Sequence, residues 1–209
     1  AMAANAIAGA QEHGVYAYMK HFALNDQEGN RNCMVATWSN EQAIREIYLK
    51  PFEMSVKDAD CHAVMSSFNY IGNRWAGGCS ELLQNVLRGE WGFLGFVETD
   101  YFGVYGYMTA DQAVRNGGDL MLCTTGNDYN NVTVLTNSSK QAMRTSAKNI
   151  LYTVVNSRAY EAENLNPGMA SWKIVMIGAD VVVALLVVGL EYTAIKGYKK
   201  RKEEEAENV

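Results

Sequence analysis

Four short apolar runs, at residues 15–22, 63–68, 93–99 and 119–123, alternate with helix-period segments at 2–12, 40–59, 80–89, 109–116 and 139–156. Strands spaced by helices in this way predict βα units around a parallel sheet. The helix signals are local. Ser39 or Asn40 is expected to cap the second helical segment, with Glu41 near its positive end. Ile44, Ile47, Tyr48 and Val56 recur on one face of it, and Pro51 should kink it or divide it in two. Ser80 is placed to cap the next helix, with Leu82, Leu83, Val86 and Leu87 turned inward.

The chain changes character at its C-terminal end. A polar stretch, 164–171, leads to Trp172 and Lys173. From Ile174 to Leu190 every residue is apolar except Gly178, Asp180 and Gly189, and the pattern runs on through Tyr192 and Ile195. About 20 such residues cross a hydrocarbon core of roughly 30 Å. Trp172 marks one boundary, Tyr192 and Tyr198 the other, and the basic run Lys199, Lys200, Arg201, Lys202 follows. This pattern predicts a single transmembrane helix over 172–195, a cytoplasmic tail over 196–209 and an extracellular globular part. Asp180 is the costly residue, about 2.5–3.5 kcal/mol on insertion scales, to be offset by the flanking apolar residues or met by a partner helix. The alternative is a buried helix of a soluble protein.

The formal charge is −5, and the one short basic run lies in the tail. No basic stripe exists to neutralise phosphates, so nucleic acid is not an expected partner. A neutral, polyhydroxylated ligand suits such a surface. Within the third apolar run, Gly92 to Thr99 reads as a turn and a buried strand that delivers Asp100 at its C-terminal end. In a (β/α) barrel that end carries the chemistry. The run at 15–22 brings Lys20 and His21 to the same rim. Taken singly, an Asp after a strand is more often a turn or cap residue, and a lone His a core residue.

Several segments, in order, resemble family 3 glycoside hydrolases of the β-glucosidase type, over roughly residues 4–160. They are Lys20-His21-Phe22 with Asn25 and the Gln27, Glu28 to Arg31 cluster, then Ile44 to Glu53, Val64 to Asn69, and Leu87 to Gly95 ahead of Asp100. The resemblance implies a retaining hydrolysis through a covalent glycosyl-enzyme, with Asp100 as nucleophile. Lys20, His21, Met65, Phe68 and Tyr101 are then the substrate-binding residues, with no cofactor and no metal. Phe68 and Tyr101 depart from the family's Tyr and Trp at those positions, which leaves the sugar preference open. The Pro-Gly that the N-acetylglucosaminidase branch carries after Lys-His-Phe is replaced by Ala23-Leu24, which sets that branch aside.

The fold implied is α/β, the second half of a (β/α)8 TIM-type barrel (residues 1–163, about four βα units), a linker (164–171) and the transmembrane helix. The other barrel half and the α/β sandwich domain with the general acid/base are expected upstream on the same polypeptide, the family's reversed arrangement. The chain alone is therefore expected to be inactive. The substrate of the whole enzyme is expected to be a β-glucoside or oligosaccharide. Glu98 precedes Asp100 by two and points to the same face, one layer below the rim, and is not taken as the acid. The alternative from another class is a membrane-tethered, non-catalytic glycan-binding module.

Cys33, Cys61, Cys79 and Cys123 lack metal-ligand spacing; Cys61 and Cys123 are expected to be buried thiols. The sequons at Asn131 and Asn137 matter only in a eukaryotic secretory pathway. Gly77-Gly78 and Gly117-Gly118 are expected to be turns.

Overall fold

The computed structural model describes residues 1–101, 105–124, 128–161 and 168–207. The chain divides into two units, Ala1–Glu161 and Ala162–Val209. The first opens with helix α1 (Met2–Glu12) and strand β1 (Tyr18–Phe22), followed by β2 (Ala36–Thr37), α2 (Glu41–Ala43) and α3 (Lys50–Lys57). Strands β3 (Ala63–Ser66), β4 (Tyr70–Ile71), β5 (Arg74–Trp75) and β6 (Phe96–Glu98) follow, then helices α4 (Ala110–Arg115) and α5 (Asn137–Val155).

The main sheet is parallel, in the order β1-β3-β6. Central β3 is buried along its whole length, as its unbroken apolar run requires. Met19, Val64 and Val97 lie in register across the three strands and enter the core with Leu83, Leu87 and Phe93. Each such side chain contributes about 1.5–3 kcal/mol of burial. Phe22 packs edge-on against Phe52 and Trp91. On the other face Tyr18, Ala63 and Phe96 are in register, followed by Met65 opposite Glu98. Gly95 is required where the ladder starts, because a Cβ there would lie 2.1 Å from the His62 carbonyl oxygen.

The fourth predicted strand, 119–123, is reduced to one parallel bridge between Glu98 and Leu120. Asp119 displaces the ladder: its Oδ2 accepts from Val97 N at 2.8 Å, while the N–H groups of Asp119 and Leu120 both donate to the Val97 carbonyl. The helical segment at 40–59 divides, as Pro51 predicts. Asn40 Oδ1 caps it by accepting from Ala43 N at 2.8 Å. A π-helical turn at Ile44–Tyr48 then joins α2 to α3, which carries Pro51 in its first turn. The wider turn rotates Ile47 outward, leaving it 63% exposed, so the inward face is Leu49, Phe52 and Val56 rather than the stripe predicted through Ile47 and Tyr48. Ser80 does not cap its π-helical segment, Glu81–Glu90; its hydroxyl donates to Glu81 Oε2 at 3.1 Å.

A small second sheet, in the order β2-β4-β5, is made from the loops that follow β1 and β3. Buried Trp75 fixes it to the main sheet by donating from Nε1 to the Ser67 carbonyl at 2.9 Å. Among the described residues all four cysteines are free; Cys61 and Cys79 are buried and Cys123 is partly so.

In the second unit, Ser171–Glu207 is one helix. Its stretch Ser171–Glu203 is long and apolar enough to cross a membrane, with an 18-residue window of mean hydropathy 2.4, none of which is buried. Residues 164–167 of the expected linker and the last two of the tail lie outside the described residues.

Candidate active site

Asp100 follows the end of β6, where its backbone N–H donates to the Ser66 carbonyl at 3.0 Å and carries the pairing with β3 past the last strand residue. The carboxylate is buried, at 7% exposure, and the groups that touch it are donors. Tyr101 N donates to Oδ1 at 2.7 Å. Arg31 Nη1 reaches Oδ2 at 3.3 Å, and His21 Nε2 lies 3.5 Å from the same oxygen. The guanidinium and the backbone N–H thus give Asp100 two directed hydrogen bonds, one of them charge-assisted.

The His21 imidazole is pushed below its usual range chiefly by burial, with the charges of Lys20 and Arg31 acting in the same direction and Asp100 opposing them. His21 therefore faces Asp100 as a neutral ring at pH 7, and Arg31 supplies the cation. Lys20 is exposed and lines the same hollow as His21; no ion pair joins it to Asp100 among the described residues.

Arg31 was legible in sequence only as part of a polar cluster. Its destination is not local, since it crosses to a residue far along the chain. It is held from behind by Glu28 Oε2 at 2.8 Å from its Nε, and its guanidinium stands 4.7 Å over the centre of the Phe68 ring. Phe68 is buried and meets Tyr105 edge-on. Tyr101 is 45% exposed, with its hydroxyl 3.1 Å from Thr124 Oγ1. Met65 is buried on β3, opposite Glu98. Burial pushes the Glu98 carboxyl up, and the Tyr18 hydroxyl partly offsets this. Of the sequence-predicted set, His21 and Asp100 are thus in direct contact and Phe68 is linked to them through Arg31, while Lys20 shares a hollow with His21 that Asp100 does not line.

The loop between β1 and β2, which carries Glu28 and Arg31, is backbone-strained at Leu24, Asn30 and Met34, all non-glycine residues at φ near +60°. Among the described residues no group of three or more His, Cys, Asp or Glu side chains is arranged to hold a metal ion.

Residues 1–151 match the model of the glycosyl hydrolase family 3 N terminal domain. The chain is 41% identical over 119 residues to the probable beta-glucosidase K of Emericella nidulans, and 44% over 119 residues to beta-glucosidase B of the same fungus. Each match covers 57% of this chain and 14% of the relative, so the chain spans a small part of those proteins. Beta-glucosidase 3B from Thermotoga neapolitana, solved with glucose, superposes with a TM-score of 0.65 at 31% identity, over 78% of this chain and 24% of that one. A beta-glucosidase from Paenibacillus barengoltzii gives 0.66 at 29%, over 78% and 19%.

Proposed function

Because this chain belongs to glycosyl hydrolase family 3, we propose that it is part of a retaining β-glycosidase in which Asp100 is the nucleophile. The observation that carries this is the buried carboxylate at the C-terminal end of the parallel sheet, held by Arg31, His21 and a backbone N–H. One Asp100 oxygen bonds to the anomeric carbon while the glycosidic C–O bond breaks and an acid elsewhere in the full-length protein protonates the leaving oxygen. Water then releases the sugar with net retention. Arg31 pairs with the carboxylate at 3.3 Å. Lys20, His21, Met65, Phe68 and Tyr101 bind the sugar, and the substrate is a β-glucoside or oligosaccharide.

In this reading residues 1–163 form the second half of a (β/α)8 barrel. The remaining barrel and the acid-bearing sandwich domain lie upstream on the same polypeptide, and the isolated chain is inactive. Trapping with a 2-fluoro β-glucoside on the full-length protein should place the label on Asp100. Sugar binding without any label would instead identify a non-catalytic glycan-binding module.

Residues 172–195 are proposed as a single membrane span, with the globular part outside and the tail in the cytoplasm. Its support is the long, predominantly apolar helix, interrupted by Asp180, with basic residues beyond one end. Deleting 172–195 is expected to move the protein from the membrane fraction to the soluble fraction. Retention of the truncated protein in the membrane would overturn the assignment.

A further inference from the structure

On the reading of 172–195 as a membrane span, we propose that Asp180 is a pairing site for a second membrane protein, one whose own span carries a lysine or arginine at the same depth. Between Ile174 and Leu190, Asp180 is the only side chain with a strong hydrogen-bonding group. It lies eight positions after Trp172 and twelve before Tyr192, so about 12 Å and about 18 Å of helix separate it from the two aromatic boundaries. That places it about 3 Å from the middle of a hydrocarbon core of roughly 30 Å. An aspartate has a single methylene and does not reach the interface from there, as a long lysine side chain can.

Its own helix does not meet it. The residues one turn away on either side are Met176, Ile177, Val183 and Ala184, none with a proton to donate. The nearest cation on the helix, Lys173, is two turns back, and its Nζ stands 5.6 Å from the centre of the Trp172 ring at the boundary. Asp180 is exposed on the helix surface, and hydrocarbon supplies no donor. A basic side chain on a neighbouring helix is the complement. It matches the acid in charge and brings N–H donors, and each polar group lowers the other's insertion cost. A second copy of this chain would set acid against acid at one depth, which like charge opposes. Ala184, one turn further on the same side, leaves room for the partner helix to come close.

The test reconstitutes the full-length protein in phosphatidylcholine vesicles with a biotinylated polyleucine span that carries one lysine at its midpoint. After mild detergent extraction, capture on streptavidin should retain about tenfold more protein than an all-leucine span does. Asp180→Leu should bring capture down to the all-leucine level, and so should moving the peptide lysine two turns toward one end. Asp180→Lys should lose the lysine span and gain one with a central aspartate, a reversal that a misfolded variant would not show. Equal capture by the lysine and leucine spans, or undiminished capture of Asp180→Leu, would overturn the pairing. Capture of the protein by a tagged second copy but not by the lysine span would overturn it in favour of self-association. Flotation of the vesicles separates the two readings. A protein that does not float with them overturns the span and the pairing together, whereas insertion without preference for lysine overturns the pairing alone.

Discussion

Asp100→Gly in the full-length protein is expected to lower hydrolysis of an aryl β-glucoside by roughly 10^4-fold or more, because a covalent step loses its attacking atom. Sodium azide should restore turnover. The small anion enters on the side the carboxylate vacated, bonds to the anomeric carbon and expels the aryloxide, so the product is the α-glycosyl azide. Inversion in the rescued product is the informative readout, since a merely misfolded variant would not give it. Glu98→Gln provides the contrast. Glu98 lies in register with Met65 and shares a hydrogen bond with Tyr18, so its loss should leave activity within severalfold. If Glu98→Gln abolishes activity and Asp100→Gly does not, the assignment of the nucleophile is wrong.

What could be read from sequence, and what could not, divides along the range of the forces involved. β1, β3 and β6 were visible because a buried parallel strand is a short apolar run, and α1 was visible because its period is its own. The split at Pro51 was equally local, a missing N–H and a fixed φ. The second sheet had no such signal, since its strands are two residues long and owe their position to Trp75 and the Ser67 carbonyl. Asp119 illustrates the opposite failure. The residues after it have strand composition, yet the aspartate's own side chain takes over the Val97 N–H that a strand would have paired.

The same distinction applies at the candidate site. Asp100, Lys20 and His21 are legible from their places at strand ends and from the family resemblance, whereas Arg31 is legible only as one member of a polar cluster. The residues around Arg31 do not name its distant partner, a carboxylate sixty-nine positions later that it meets while standing over Phe68. Glu28, three residues before it, is the only local hint, because an i,i+3 pair fixes the direction of the guanidinium.

The second large effect is on stability, and it should follow from Asp119→Leu. The Asp119 side chain is 1% exposed and joins three elements: Arg88 of the π-helical segment at 2.7 Å, Val97 N of β6 at 2.8 Å, and Asn149 of α5 at 3.0 Å. Burial pushes the Asp119 carboxyl up and the Arg88 guanidinium down, but a guanidinium keeps its proton in proteins, and these three donors hold the carboxylate form. Arg88 also donates to the Gly95 carbonyl at 2.9 Å and stacks on Phe93, so it cannot swing out to water when its partner is removed. An uncompensated buried charge costs about 3–5 kcal/mol, a large share of the roughly 5–15 kcal/mol that holds a domain together. Hydrogen exchange on the full-length protein reads this locally, and protection of β6 and α5 amides should fall by roughly two to three and a half decades. The double variant Arg88→Met with Asp119→Leu separates charge from shape. Removing both ions ends the desolvation penalty but leaves the Val97 N–H without its acceptor, about 1–3 kcal/mol. Its protection should therefore fall between the single variant and the natural chain. If the double variant is as unprotected as Asp119→Leu alone, the cost lies in the lost hydrogen bonds and not in the stranded guanidinium.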